Sequence, residues 1–585
     1  MHACRKGNSR AIDCPPAGVG RAPRQKLMTA PPSVEWDEPT APPAAGAAAS
    51  RASAGHARAL TLASAIVAAT YFGSRVLGAL RTTAIAHAFG TPPELDAYYI
   101  GNRIPDLLFQ VIAGATLASA FIPTFARVRS RRGEDAAWRL ASAALNLVTL
   151  VTALLAIVAF VLAPKLVPLT APGLGDSVGR GPEMRALAVK LTRLMLAAPI
   201  IFAMSGMVSG ILNARRRFFL SGIAPMLYNL GIIAGAILYG VVGGSARSGV
   251  TLLAVATVAG AAGHLLVQLP GLARVGMRYV PTLGLRDPAV REVVTLMLPR
   301  MLGLAAVQLN FAVSNFFASQ MAAGTVSSLS YAWSLVVLPL ALVGQAISTA
   351  VFPHMADQAA DDDHHELRNT LAQALRIIVF LTIPATVGLV VLRVPVTSLL
   401  LQHGSFTAHD TAVVATALLF YSLGLAAQAL IEILSRGFYA LRDTRTPVAF
   451  AVLSMALNLL FSLLLRGPLG YRGLALALSL AVMVEASSLF VVLRARIGGL
   501  QERALLWTVA RSIVAAWLMA VAVAAAMVWA RHTGLFADRR GVRYLFEAAV
   551  GLPTGALVFF AVAALTGSEE MWTLLRPLWR RARGA

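Results

Sequence analysis

Leu145-Asn146-Leu147-Val148-Thr149-Leu150-Val151-Thr152-Ala153-Leu154-Leu155-Ala156-Ile157-Val158-Ala159-Phe160-Val161-Leu162-Ala163 is a run of 19 residues without a charge. Wound as a helix it is roughly 28 Å long, close to the ~30 Å hydrocarbon core of a bilayer, and too long for a strand or an ordinary buried helix. With its flank it marks a membrane span over about residues 137–163. Similar runs recur on both sides of it. Apolar length places further spans near 60–88, 96–126, 186–212, 219–242 and 250–273, then near 289–318, 325–353, 368–392, 411–436, 446–465 and 472–494. A last pair lies near 505–530 and 543–566. The sequence therefore predicts an all-α polytopic membrane protein of about fourteen transmembrane helices.

Composition agrees. The 585 residues are 57% hydrophobic and only 13% charged, with a mean hydropathy of +0.70, where a soluble domain carries about 25% charge. The net charge of +23 does not point to nucleic acid, because the basic residues sit in short clusters between apolar runs and in the tails, where such clusters set topology. Loops after even-numbered spans hold roughly nineteen Lys and Arg and the others roughly eleven, which puts both termini in the cytoplasm. The acidic run Asp361-Asp362-Asp363 in one such loop does not disturb this, since carboxylates contribute little to orientation.

Residues 1–57, rich in Pro, Ala, Gly and Arg, read as a disordered cytoplasmic tail without the apolar core of a signal peptide. Cys4 and Cys14 lie there with no Cys/His spacing that would support a disulfide or a metal site. There is no Walker-type loop, no His-Glu-x-x-His and no Gly-x-Ser-x-Gly, and His87, His264 and His403 are scattered. An enzyme is not expected, and no cofactor is implied.

The chain repeats itself. Ser74-Arg75-Val76-Leu77-Gly78 resembles Pro299-Arg300-Met301-Leu302-Gly303 at an offset of 225, and Ala120-Phe121-Ile122-Pro123 resembles Ala350-Val351-Phe352-Pro353 at an offset of 230. Six spans separate equivalents, so both halves enter the membrane in the same sense, as in a parallel repeat about an axis along the membrane normal. The expected division is a lobe over 58–274, a second over 275–496, a central cavity between them, and a segment 497–585 holding the last helix pair and a basic cytoplasmic tail.

Charge at bilayer depth costs roughly 2.5–3.5 kcal/mol on insertion scales, so it marks function. Arg75, beside Ser74 in the first span, Arg81 six residues on, and Asp96, Arg103 and Asp106 opening the second form one group. Helix geometry sets Arg81 off the face that carries Arg75. The arginines suit an anionic headgroup, because a guanidinium donates two parallel hydrogen bonds to phosphate. The aspartates are expected to hold the arginines or to gate access. Arg300 stands at the repeat equivalent of Arg75. Gln308, Asn310, Asn315, Gln320 and Gln345 add amides, whose commoner role is bridging helices. Glu432, with Gln428 one turn before it, and Glu485 are the acidic candidates for coupling to Na+ or H+.

The stretch Ser74–Gly78, with Arg81, Ala88-Phe89-Gly90, Asp96-Ala97-Tyr98, Ile104-Pro105, Ala120–Pro123 and Gly133-Glu134-Asp135, resembles the MviN/MurJ lipid II flippases of the MOP exporter superfamily. Thr170-Ala171-Pro172-Gly173, Gly210-Ile211-Leu212-Asn213, Gly437-Phe438-Tyr439-Ala440 and Asp443-Thr444-Arg445-Thr446-Pro447 extend the likeness over about residues 60–566. The resemblance implies fourteen helices, two lobes that alternate between inward- and outward-open states, and a groove for a polyprenyl tail formed by the last pair. It implies outward flipping of the undecaprenyl-pyrophosphate-linked peptidoglycan precursor lipid II in the bacterial inner membrane, during cell-wall synthesis. The family's first-helix arginines fall on Arg75 and Arg81 and its second-helix aspartate on Asp96. Three charged positions differ: an arginine falls at Phe109 or Gln110, a glutamate at Gly114, and the eighth-helix arginine at Ser334. Arg300 is expected to replace part of the lost positive charge. Rival readings are a flippase for another polyprenyl-linked glycan, a cation-coupled exporter on the same scaffold, and a scaffold that recruits cell-wall synthesis proteins through the N-terminal tail.

Overall fold

The computed structural model describes residues 69–113, 115–361, 364–532 and 540–582. The expected tail, residues 1–57, lies outside the described residues, as does Gly114. Among the described residues all regular structure is helical. A hydrocarbon solvent leaves no alternative for spans of this kind, because every backbone N–H and C=O must be satisfied within its own segment.

Helix α1 covers 69–89. α2 (Pro93–Leu108) runs through a π-helical turn at Phe109–Ala113 toward α3 (Ala115–Arg132). α4 (Glu134–Thr170), α5 (Gly181–Met195), α6 (Ala197–Ala214), α7 (Phe218–Val242), α8 (Ala246–Leu266) and the short α9 (Leu269–Arg274) complete the first half. α10 (Pro288–Ala318) and α11 (Thr325–Pro339) follow, then a second π-helical turn at Leu340–Gln345 and α12 (Ala346–Ala360). α13 (His364–Val391), α14 (Arg393–Leu401), α15 (Ala408–Ser422), α16 (Leu425–Ala440), α17 (Arg445–Leu469) and α18 (Tyr471–Ile497) lead to the last pair, α19 (Glu502–His532) and α20 (Arg540–Leu565), and to α21 (Glu569–Ala582).

Ten spans among the described residues are long and apolar enough to cross a membrane, or eleven if α15 and α16, bent by 45°, count as one. Each of the fourteen expected stretches carries helix, but that number of crossings is not reached by length and composition. The first expected span begins outside the described residues, and α2 has Glu94, Asp96, Arg103 and Asp106 within 16 residues, which lowers its apolarity below that of a free-standing span.

Outward faces are apolar at helical spacing, as in α4, where Leu154, Ile157, Val158 and Val161 are 46–65% exposed. This is the surface a lipid-facing helix presents, and the polar groups turn inward. In the first half α2 packs on α5, α7 on α8, and α3 and α4 on α6. In the second, α16 and α17 pack on α18, α11 on α15 and α13 on α16. α10 joins the halves, lying against α3 and α4 as well as α17. α19 and α20 pair with each other and rest on α13 and α14 through Phe380, Leu392, Met519, Val523 and Phe559.

Candidate functional site

A cavity of about 640 Å³ opens between α1, α7 and α11. Its α1 wall is Ser74, Arg75, Gly78, Ala79, Arg81 and Thr82, and Tyr228, Asn229, Trp333 and Ser334 close the far sides. Small residues seat α1 on α7: a Cβ on Gly222 would stand 2.4 Å from Thr70 Oγ1. Arg75 and Arg81 both line the cavity, although their six-residue spacing sets them on different faces of α1. The cavity wraps around α1 far enough for both long side chains to reach it.

Arg75 is oriented but not neutralised. Its Nη2 donates to Tyr71 Oη and to Gln345 Oε1, each at 2.9 Å, and its guanidinium lies 5.0 Å from the Tyr71 ring centroid. The Tyr71 hydroxyl donates to the same Gln345 oxygen at 2.7 Å. Gln345 Nε2 in turn donates to Glu432 Oε1 at 3.4 Å, and Glu432 Oε2 sits 3.7 Å from Arg436 Nη2. A guanidinium carries five donors, so those not used by Tyr71 and Gln345 remain for a ligand. Arg81 makes no hydrogen bond or ion pair among the described residues. It also borders a second cavity of about 360 Å³ that reaches Asp106, Phe109, Tyr228 and His264. Neither guanidinium forms an ion pair with a carboxylate among the described residues, although Asp106 borders the second cavity together with Arg81.

Asp96 holds no arginine, which was one of the two roles expected of it. It is buried and lines neither cavity; its Oδ2 accepts from the Gly324 N–H at 2.6 Å, and its Oδ1 from the Ser327 N–H and hydroxyl, both at 2.8 Å. These are the free N–H groups at the start of α11, so a carboxylate from α2 caps a helix of the other half, favoured by charge-assisted bonding and by the helix dipole. Around it the halves meet through both backbone and side-chain hydrogen bonds. Tyr331 Oη donates to Gly90 O at 3.0 Å, the Ser405 N–H donates to His87 O at 2.9 Å, and Thr91 Oγ1 donates to Asp410 Oδ1 at 2.5 Å. Gly90 (φ +66°) and Gly324 (φ +84°) permit this approach, since a Cβ would stand 2.5 Å from Ser405 O and 2.6 Å from Thr91 O respectively. The α1–α2 turn is thereby latched to α11 and to the start of α15.

Residues 85–538 match the family described as Lipid II flippase MurJ. The chain belongs to that family. The Lipid II flippase MurJ of Burkholderia cenocepacia is 34% identical over 72% of this chain and 81% of its own length. The probable lipid II flippase MurJ of Rhizobium meliloti is 32% identical over 88% and 96%. The fold is shared with the solved structure "Lipid II flippase MurJ, inward closed conformation", at a TM-score of 0.68 and 23% identity over 88% of this chain and 99% of that one. An inward-facing multidrug resistance MATE family transporter of the MOP superfamily also shares it, at a TM-score of 0.60 and 18% identity over 73% and 96%. The chain is thus a multi-pass membrane protein of a transporter family.

Within the flippase family's charged second helix, Arg103 turns away from the 640 Å³ cavity. Its Nη2 donates to Gln308 O at 3.0 Å and Gln308 Oε1 at 3.1 Å, and its Nη1 lies 3.5 Å from Asp106 Oδ2. Gln110, which with Phe109 is one of the two positions where the resemblance places an arginine, closes a ring: it donates to Asp106 Oδ2 at 2.9 Å and accepts from Gln308 Nε2 at 2.5 Å. An amide here ties α2 to α10 without adding charge. Gln308→Leu is expected to destabilise the protein by about 1–3 kcal/mol, because Gln110 Oε1 loses its donor and Arg103 keeps only the backbone carbonyl of position 308 and Asp106; a thermal unfolding midpoint within 1 °C of wild type contradicts this.

Ser334, at the lost eighth-helix arginine, does face the cavity, with its hydroxyl bonded to Ser330 O at 2.8 Å. Arg300 lies in α10, but its side chain is outside the described residues. The cation the sequence reading missed is Arg436, near the Gln345 backbone in α16; its signal was the i, i+4 spacing from Glu432. Glu485 of α18 lies against Ser454, sharing no partner with Glu432, and Gln428 is half-buried on α16. Asn310 bridges helices as expected, accepting from Asn458.

The family motif Asp443-Thr444-Arg445-Thr446-Pro447 forms the turn into α17. Burial alone would raise the Asp443 carboxyl, but the Thr446 hydroxyl and N–H, then Arg496 and the Arg445 N–H, outweigh it and hold it at about 2. The folded value lies below the ordinary ~3.9, so this stabilisation is present above pH ~4 and is lost as pH falls toward 2. Asp443→Asn is expected to flatten that part of the stability profile, measured by thermal unfolding between pH 2 and 7.

Proposed function

We propose that the chain carries lipid II, the polyprenyl-pyrophosphate-linked peptidoglycan precursor, from the inner to the outer leaflet of the bacterial cytoplasmic membrane by alternating access. The observation that supports this is the pair Arg75 and Arg81 in one cavity without carboxylate partners, in a chain of the lipid II flippase family. The pyrophosphate meets these guanidinium groups, and Ser74 lines the same wall. Lobes over 58–274 and 275–496 move against each other, with 1–57 as a tail and 497–585 carrying the last helices and the basic C-terminal stretch.

Both termini lie in the cytoplasm in this reading, so the Asp96 latch closes the far end and the cavity is reached from the cytoplasm. Each transport cycle must break and remake that latch. The membrane potential, worth about 2.3 kcal/mol per charge per 100 mV, or an ion gradient drives the cycle. Coupling through Gln428, Glu432 and Glu485 requires Na+ or H+ to displace the Arg436 guanidinium from Glu432.

The test is complementation of a bacterium depleted of its own lipid II flippase, with wild type and Arg300→Ala at matched membrane levels. Rescue by wild type is expected, and a silent Arg300→Ala removes Arg300 from the headgroup site. Failure of well-expressed wild type favours a flippase for another polyprenyl-linked glycan, with Ser334 in the cavity wall as the reason.

A further inference from the structure

The α6–α7 loop carries Arg215, Arg216 and Arg217 in succession. Arg215 is engaged: its Nη1 donates to Glu134 Oε1 at 2.9 Å, and its guanidinium lies 4.8 Å from the centroid of the Trp138 ring. The guanidinium groups of Arg216 and Arg217, and that of Arg274 at the end of α9, have no hydrogen bond or ion pair among the described residues. Instead the three arginines border a cavity of about 270 Å³, together with Phe218, Phe219, Leu220 and Gly271. No carboxylate lines it, and it shares no lining residue with the 640 Å³ cavity.

Three further features fit an anion. Arg216 holds φ +58°, the left-handed turn that ends α6 with the Arg217 N–H on Leu212 O at 2.8 Å, and this turn brings Arg216 and Arg217 together at the cavity. α7 starts at this cavity with no side-chain cap, so its first N–H groups and its dipole add partial positive charge. The volume lies below the ~300–1,000 Å³ of pockets for drug-sized ligands, which suits a small headgroup and excludes a glycan-peptide one.

Apolar surface beside the cavity decides between a free anion and a lipid. Phe219, which lines the cavity at the start of α7, is 54% exposed, and Leu266 at the end of α8 and Leu269 at the start of α9, the helix that carries Gly271 and Arg274, are 60% and 40% exposed. A soluble anion has no use for this surface, whereas acyl chains do. Basic pockets between spans at the cytoplasmic face recognise anionic lipid headgroups in this way.

We propose that Arg216, Arg217 and Arg274 form a site for the phosphate of an anionic phospholipid resident in the cytoplasmic leaflet, separate from the transport cavity. The site does not depend on what the protein transports, so a chain that fails to flip lipid II still shows it.

The test is native mass spectrometry of the full-length protein titrated with dioleoyl-phosphatidylglycerol, with dioleoyl-phosphatidylcholine as the neutral control. The expected loss of phosphatidylglycerol affinity is about fivefold per arginine and about a hundredfold in Arg216→Ala/Arg217→Ala/Arg274→Ala, with phosphatidylcholine adducts unchanged. Arg274→Glu, which leaves the α6–α7 loop intact, is expected to lose more than tenfold and serves if the triple variant does not fold. Replacement of all three by lysine should fall between wild type and alanine, because charge is kept and the planar fork is lost. Equal retention of phosphatidylglycerol by wild type and Arg274→Glu overturns the proposal. So does displacement of the lipid by millimolar glycerol phosphate, which assigns the cavity to a free phosphate.

Discussion

Arg75→Ala is expected to abolish rescue of flippase-depleted cells while leaving the protein folded in the membrane. Arg75 reaches Tyr71 and Gln345 through Nη2 alone, so its truncation removes a cation that bears on the ligand and little that holds helices together. A charge-assisted hydrogen bond is worth about 1.5–3 kcal/mol, so lipid II affinity should fall roughly 10- to 150-fold for each such bond to the pyrophosphate that the alanine cannot make. Arg75→Lys keeps charge without the fork, and partial rescue is expected from it. Binding of labelled lipid II to purified protein separates this from an effect on movement. Full rescue by Arg75→Ala sinks the assignment of the cavity to the pyrophosphate. Gln345→Ala should weaken binding less, since it frees the guanidinium from its orienting partner but leaves it in place.

Asp96→Asn should produce the second large effect, through conformation and not through binding. The carboxylate accepts three hydrogen bonds from the α11 start, and the neutral amide keeps one acceptor oxygen without the charge that the helix dipole favours. A loss of about 2–4 kcal/mol shifts the closed-to-open equilibrium of the latch by roughly 30- to 1,000-fold. A cysteine introduced at Ala88, whose carbonyl accepts from the Ser405 hydroxyl, should become more reactive toward a membrane-impermeant thiol reagent added outside the cell. Lipid II affinity of the purified protein should change little, because Asp96 touches neither cavity. Unchanged labelling together with full rescue contradicts the capping role.

Much of the fold was legible because hydrocarbon imposes a simple rule on sequence: an apolar run of sufficient length becomes a helix. The same rule falls short where a helix is shielded by protein, as at α2, whose charged residues face neighbours instead of lipid. Arg75 and Arg81 were legible because an uncompensated guanidinium inside an apolar run needs a purpose. What Asp96 does was not, because its partners are backbone N–H groups 228 and 231 positions away, which no side-chain pattern announces. The ring of Arg103, Asp106, Gln110 and Gln308 was hidden for a related reason. Each member reads alone as a polar residue in a span, and only the approach of α2 to α10 makes them one unit.

The two π-helical turns carry a record of origin. Each accommodates more residues per turn than the α-helix around it, and Leu340 follows Phe109 by 231 positions, nearly the offset of 230 that separates Ala120 from its counterpart Ala350. Separate insertions after duplication would have no reason to land at matching depth in both copies. A duplicated half would carry such a turn in each copy, so the paired turns mark the register in which the two halves of the chain are to be compared.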